Sequence, residues 1–301
     1  MYLATTTGDF SGYASSQSEA LKWIRQSGFR FADYNFGMDR SRKNGVFSDD
    51  PDGHIFSLLS DADRLGVRFI QSHAPMGKPL ERGSYHDEFV AENKRCIESC
   101  AKLGIPNVVI HSGYEMGISK GECLERNRDF FRELLPCAEK NDVTILVENF
   151  NKMCVDGMYW IDNAPDLLEM VEMVDHPLFQ AVWDAGHANM QEMPQNEALN
   201  ILCSHVKALH IQDNMGNTDA HIAPFFGTLN LDSLMKGLIE IGYNGYFTFE
   251  SCNFFLPGGS RRQYEGDSRL LNAPLSLKLK GEELLYEIGK TILTAYGCYD
   301  G

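Results

Sequence analysis

The chain contains no uninterrupted apolar run of about 18 residues, the length a helix needs to cross a bilayer, and this argues against a membrane span. Its first residues, MYLATTTGDFSG, lack a basic stretch leading into an apolar one, so no secretory signal is read there. Positive charge is scarce: 27 Lys and Arg stand against 42 Asp and Glu, a formal net charge of −15. Phosphate backbones and anionic membranes would be repelled at long range. The basic clusters that could offset this are few, chiefly "RSRK" at 40–43 and Arg261–Arg262. None of the eight cysteines forms a CxxC pair, which favours a reduced, cytoplasmic protein over a disulfide framework. No GxGxxG follows the first strand pattern, so the usual reason to expect a dinucleotide fold is missing. No low-complexity tract, long linker or change of composition interrupts the chain, and residues 1–301 read as a single domain.

What the chain does have is alternation. Short β-rich runs (YLATTT, FRFADYNF, VRFIQSHAP, NVVIHSG, VTILVENF, FQAVWDAGH, VKALHIQDN, YFTFES) are each followed by a run with apolar residues three and four apart. Strand–helix repetition of this kind implies a parallel sheet covered by helices. Eight units in a chain of this length predict an α/β fold, a closed (β/α)8 TIM barrel, with an open doubly wound sheet as the fallback. The connections at about 36–52, 211–230 and 251–271, after strands 2, 7 and 8, are long and would be candidate lids on the catalytic face.

Six consecutive strands finish in a histidine or a carboxylate: His73, His111, Glu148, Asp184 with His187 just beyond, His210 and Glu250. Side chains alternate along a strand, so Leu146 shares a face with Glu148, Val182 with Asp184 and Thr248 with Glu250. If those faces point inward, the polar groups converge at the C-terminal mouth of the barrel. Buried charges need opposite partners, and a divalent cation would supply one. Glu148, Asp184, His210 and Glu250 form a compact mononuclear set. Asp219 and His221 of TDAHIAP, with His187, could form a second metal position, or TDAH could be a polar turn. Asp33 of FADYNF either reaches the mouth or serves a turn or cap. His54, His86, His176 and His205 read as structural, and Trp183 and the aromatics of YFTF as core.

At these residues the chain resembles the xylose isomerase-like TIM-barrel superfamily, in particular its sugar phosphate isomerase/epimerase and inosose dehydratase group. The motifs are LVENF, VWDAGHANM, HIQDN, TDAHIAPFFGTLNLDSLMKGLIEIGYNGYFTFE and the isolated SHAP and IHSG, over about residues 20 to 295. The resemblance implies one catalytic divalent ion, Mn²⁺ first and Zn²⁺, Co²⁺, Mg²⁺ or Fe²⁺ as alternatives, on Glu148, Asp184, His210 and Glu250. It implies that Glu148 and Glu250 also move the proton, and that His187 touches substrate, with His73 and His111 as further substrate contacts. The ketose 3-epimerases of the group carry an arginine where this chain has Gly216 and a glutamate where it has Cys154, so the match to that subgroup is incomplete.

The expected activity is a metal-dependent isomerase or epimerase of a small carbohydrate or cyclitol, working by proton transfer through a metal-stabilised enediolate. An inosose dehydratase-type lyase or a C-glycoside-cleaving subunit needing a small partner chain would use the same apparatus. Endonuclease IV, a related DNA-repair enzyme with a trinuclear zinc site, has a ligand pattern matching His73, His111, Glu148, Asp184, His187, His210, Asp219, His221 and Glu250. The acidic charge weighs against that class, and no nucleic-acid or membrane partner is expected. A non-catalytic, metal-containing sugar-binding protein is the further alternative. Self-association into a homo-oligomer is left open.

Overall fold

Eight parallel strands are laid down in chain order: β1 Tyr2–Thr6, β2 Phe31–Asn35, β3 Arg68–His73, β4 Asn107–Val109, β5 Thr144–Glu148, β6 Phe179–Asp184, β7 Val206–His210 and β8 Tyr246–Phe249. The computed structural model describes residues 1–151, 158–251 and 273–301. Within these residues the helices are α1 Gln17–Gln26, α2 Phe36–Arg42, α3 Pro51–Leu65, α4 Ser84–Leu103, α5 Lys120–Asn141, α6 Ala164–Val174, α7 Ala185–Asn189, α8 Gln195–Leu202, α9 Leu231–Glu240 and α10 Leu275–Ala295. None of them is long and apolar enough to cross a membrane. Cys154, Arg261, Arg262 and the connection after β8 lie outside the described residues, apart from Ser251.

Each strand pairs with its sequence neighbour, and β1 also pairs with β8. The remaining seam, between β7 and β8, closes only at its C-terminal end. There Ile211 N donates to Thr248 O at 2.8 Å, and Glu250 N donates to Ile211 O at 3.0 Å. The seam therefore locks at the residues flanking His210 and Glu250. The architecture is the expected (β/α)8 barrel, and the open-sheet fallback is set aside.

The period-2 pattern of the strands sorts their side chains. Val109, Leu146, Val182 and Ala208 form a small apolar layer of their own, each two residues before His111, Glu148, Asp184 and His210 respectively. Around β1 to β3 and β8 the corresponding positions are polar and satisfy one another. Gln71 Nε2 donates to Asp33 Oδ2 at 2.8 Å, and Thr248 Oγ1 donates to Gln71 Oε1 at 3.2 Å. The opposite strand faces, with Ile145, Val147, Trp183, Leu209, Phe247 and Phe249, belong to the large core under the helices.

Two of the connections differ from the expected loops. The segment after β2 contains α2, and α3 starts four residues before the expected IFSLL run. Asn35 caps α2, its Oδ1 accepting from Met38 N at 3.0 Å, and Asp50 caps α3 just ahead of Pro51. A helix as short as α2 shows too few turns for a periodic signal. It holds through its cap and through the buried Asp39, which accepts from the Tyr34 hydroxyl and from Gln17. The segment after β7 is tied back: Asp213 and Ile222 form an antiparallel bridge, and the Asp213 carboxylate accepts from Gly227 N and Leu229 N.

Candidate functional site

The answer to why acid and imidazole follow an apolar strand in VWDAGH lies in a helix start. Asp184 ends β6 and caps α7, its Oδ1 accepting from His187 N at 2.7 Å. The turn this creates swings the His187 ring back over the mouth. Gly186 leaves room for Gln212, since a Cβ there would stand 2.0 Å from Gln212 Cδ and displace that side chain. With that space open, Gln212 Nε2 reaches both Asp184 Oδ1 and Asp219 Oδ1, each at 3.2 Å. Asn149, directly after Glu148, ties β5 to β6 through Asp184 N and O and accepts from His187 Nδ1 with its own carbonyl.

Three groups of candidate metal-ligating side chains sit side by side at the C-terminal mouth. They are Glu148, Asp184, His210 and Glu250; His187, Asp219 and His221; and His73, His111 and Glu148. Within each group the ligand atoms lie within 4.8 Å of one another. His210 Nδ1 stands 2.7 Å from Glu148 Oε1 and 3.6 Å from Glu250 Oε2. His111 Nε2 is 2.7 Å from Glu148 Oε2 and 2.9 Å from His73 Nε2. His221 Nε2 is 3.1 Å from Asp219 Oδ1, and His187 Nε2 is 3.5 Å from the same oxygen. Glu148 is shared between the first and third groups. His111 lies two residues past β4 and Glu250 one past β8, so both project from the start of a loop.

The outer nitrogens of three of these rings are spoken for. Nδ1 of His73, His187 and His221 lies against the backbone carbonyls of Ala74, Asn149 and Glu250 at 2.7, 2.9 and 2.9 Å. A carbonyl only accepts, so each ring carries its proton on Nδ1 and turns Nε2 inward. His210 is reversed: Nδ1 faces the carboxylates and Nε2 stands 3.5 Å from Asp33 Oδ2. Asp33 thus lies inside the barrel beneath His210, not in a turn or cap. His221 adopts a left-handed backbone, φ 47°, and is held there by the bridge at Ile222 and its bond to Glu250 O.

Electrostatics in the ion-free cluster follow from burial working against mutual attraction. Burial opposes ionisation of Glu148, but His210, His111 and His73 hold its carboxyl well below the usual range. Burial also opposes charge on Asp219, but hydrogen bonds from His187 and His221 hold it far below its ordinary value. Asp184 goes the other way: burial, assisted by Glu148, lifts it to about 6 against the pull of His187. Burial alone would lower the imidazoles, but Asp184 and Asp219 raise His187 to about 9, and Asp219 and Glu250 raise His221 to about 10. His111 is lowered by burial. Buried acceptor oxygen Asp184 Oδ2 has no hydrogen-bond partner among the described residues.

Of these side chains, His73, His111, Glu148, His187, Asp219, His221 and Glu250 line a cavity of about 240 Å³ that also takes in Asn35, Met76 and Phe150. Phe150 packs against His111 and His187 with ring centroids 5.1 and 5.2 Å apart. Asn149, Phe150, Gln212 and Asn151, whose Nδ2 donates to Asp219 Oδ2, were not singled out from the sequence. The available signal was their position, directly or closely after a ligand-type residue at a strand end. His54, His86, His176 and His205 lie outside the cluster, paired with Asp39, Glu133, Glu139 and Gln180.

Comparison with known proteins places this geometry in context. The family model of the xylose isomerase-like TIM barrel matches residues 21–271. An uncharacterized protein of Methanocaldococcus jannaschii, MJ1311, is 27% identical over 239 residues, 76% of this chain and 80% of that protein. Fructoselysine 3-epimerase of Escherichia coli O157:H7 is 31% identical over 94 residues, only 31% of this chain and 34% of the enzyme. Among solved structures, a D-tagatose 3-epimerase-like protein superposes with a TM-score of 0.72 at 21% identity, covering 98% of this chain and 100% of its own. The IolI protein with a zinc atom superposes with a TM-score of 0.73 at 20% identity, covering 98% and 97%.

Proposed function

Because the chain belongs to the xylose isomerase-like TIM-barrel family, we propose that it is a divalent-metal-dependent isomerase or epimerase of sugars or cyclitols, built as one (β/α)8 domain. The observation that carries this reading is the convergence of Glu148, Asp184, His210 and Glu250 within 4.8 Å of one another, with Glu148 and Glu250 lining a monosaccharide-scale cavity. Inward-facing lone pairs on imidazole and carboxylate, with Asp184 Oδ2 left without a partner, are the donor set a divalent ion takes. Glu148, Asp184, His210 and Glu250 would hold one ion, and His187, Asp219 and His221 either a second ion or the substrate. The zinc atom in the related IolI structure supports a metal here, with Mn²⁺, Zn²⁺, Co²⁺, Mg²⁺ and Fe²⁺ as candidates.

When bound, the ion supplies a Lewis acid for the substrate's carbonyl and hydroxyl oxygens. The chain's own residues do the rest. Glu148 at the end of β5 and Glu250 just past β8 approach His210 Nδ1 from different sides of the mouth, so one can take the proton from the carbon beside the carbonyl and the other return one. His73, His111 and His187 line the cavity and offer Nε2 to substrate hydroxyls, while Phe150 gives it an apolar wall. Asp33 steadies His210 from below. Incubating the protein with ketoses, inososes and sugar phosphates, with Mn²⁺ added, tests the reading. Turnover of at least one is expected, and none across the panel would contradict it.

A second reading has a specific observation in its favour: the third group, His73, His111 and Glu148, completes the nine-residue pattern of a trinuclear phosphodiesterase-type centre. Charge argues against it. The net charge is −15, and Arg40 of the RSRK run is committed to Glu92 at 3.0 Å. No nicking of an abasic-site duplex is expected even at low salt. Efficient metal-dependent nicking that disappears in Glu148→Gln would move the protein to the nuclease class.

Protonation should be coupled to metal uptake. With His187 at about 9 and His221 at about 10, both carry protons at neutral pH in the metal-free protein, and an ion on them must displace those protons. Its apparent affinity should fall as pH drops below these values, by about tenfold per pH unit for each proton displaced. The metal-free fold has the opposite dependence: both values are raised above about 6.5, so the stabilisation is complete below that pH and is lost as pH rises through 9 to 10. Calorimetric metal titration in buffers of different ionisation heat should count proton release. A pH-independent affinity with no release would contradict these assignments.

A further inference from the structure

A second cavity, of about 400 Å³, opens beside the first and has no part in the chemistry above. The two share a wall about one residue thick. Met76 and His111 line the inner cavity while their successors Gly77 and Ser112 line the outer one, and Phe150 on the inner side stacks on Trp160 on the outer side at 3.7 Å and 15°. The wall is ordered by side-chain bonding, since the Trp160 indole N–H donates to Ser112 O and Oγ at 3.2 and 3.0 Å. It is also ordered by close packing of the loops after β3 and β4: a Cβ on Gly113 would stand 2.9 Å from Leu80 Cγ and 3.0 Å from Pro79 Cδ.

The lining has a definite chemistry. Trp160 and Tyr114, with ring centroids 4.5 Å apart, form an aromatic side, continued by Leu80 and Met116. Tyr114 and Met116 keep 45% and 56% of their surface open to solvent, and Met76 at the junction keeps 50%, an apolar rim that a ligand would cover. The lining carries two positive and two negative side chains, and they are not paired one to one. Lys78 is paired with Glu81 and Glu115 with Arg126, whereas Arg82 makes no ion pair or side-chain hydrogen bond among the described residues. An unpaired guanidinium beside a flat apolar surface suits a carboxylate carried on an aromatic or aliphatic group.

We propose that this cavity is a second subsite, and that the substrate is a sugar bearing an apolar, carboxylate-terminated substituent. The reacting sugar occupies the inner cavity, the substituent lies on Trp160, Tyr114 and Met116, and its carboxylate pairs with Arg82. This deepens the isomerase or epimerase reading and rests on it for the sugar half. Binding energy from the remote substituent would then be available to hold the sugar in register with the carboxylates.

The test is calorimetric binding, not turnover, with three probes: D-fructose, 4-aminobenzoate, and 4-aminobenzoate joined through its nitrogen to C1 of 1-deoxyfructose. The variants are Met116→Trp, which fills the cavity, and Arg82→Glu, which reverses its charge; both sites are at the surface, and circular dichroism checks their folding. The conjugate should bind about tenfold or more tightly than D-fructose. Both variants should remove that advantage and leave D-fructose binding unchanged. A conjugate no tighter than D-fructose, or an advantage untouched by both variants, overturns the subsite. If 4-aminobenzoate binds and is lost in both variants while D-fructose does not bind at all, the carboxylate subsite stands and the sugar reading falls.

Discussion

Asp184→Asn should strip the protein of its metal without unfolding it. Asp184 is fully buried, and its two oxygens do different work. Oδ1 caps α7 through His187 N and accepts from Gln212, while Oδ2 has no hydrogen-bond partner among the described residues and lies 3.7 Å from His187 Nδ1. Asparagine keeps a carbonyl oxygen for the cap, which it fills about as well as aspartate does. It removes the negative charge that a divalent ion needs and places an amide N–H₂ in the position of a ligand oxygen. Loss of a ligand should cost more than the 10- to 100-fold that outer partners of a metal cost. Elemental analysis of protein purified without chelator should therefore find about one ion or more per wild-type chain and little in the variant. Asp184→Ala should lose the metal too and, lacking the cap, should also melt earlier, by about 1 kcal/mol of stability. A full complement of metal in Asp184→Asn would remove Asp184 from the ligand set and with it the proposed centre.

The parts of the site that were legible from sequence share one property: they follow from position along a strand. Alternation put Leu146 with Glu148 and Val182 with Asp184, and the structure repeats this as an apolar layer directly below those residues. The eight-unit count gave the barrel, and the barrel brings strand ends together whatever their separation in sequence. Contacts between connections carry no such rule. That His221 rests on Glu250 O depends on the bridge from Asp213 to Ile222, and that Gln212 crosses to Asp184 depends on Gly186 lacking a side chain. Asp33 was ambiguous because FADYNF alternates either way near a register shift between Ala32 and Asp33 in the β2–β3 ladder. The short helices α2 and α7 were missed for want of length: seven and five residues show no period, and both hold by an N-cap. Those same caps put Asp39 and His187 where they act.

Glu148→Gln and Glu250→Gln should each cut turnover by about 10²- to 10⁴-fold, the contribution of a positioned general base, while leaving substrate binding measurable. Glutamine preserves the shape of each side chain, so the loss would report proton transfer and not collapse. The two variants should differ in one respect. Glu148 is buried and held ionised by His210, His111 and His73, whereas Glu250 stands nearer the open mouth with 16% of its side chain exposed. Removing Glu148 should also loosen its three histidines, so metal content must be measured beside the rate. Removing Glu250 leaves those histidines paired with Glu148, but Glu250 belongs to the same proposed ligand set, so metal content must be measured in that variant too. Turnover of an active substrate in D₂O, followed by mass spectrometry, separates proton transfer from a hydride shift between adjacent carbons. Glu250, reached by solvent through the mouth, should exchange its proton, so deuterium is expected on the reacting carbon of the product when it returns the proton. In a one-glutamate variant, exchange into the substrate without conversion would assign the surviving carboxylate to one face of that carbon. Unlabelled product together with full activity in both variants would show that neither glutamate is the base, and the proton-transfer mechanism would have to be abandoned.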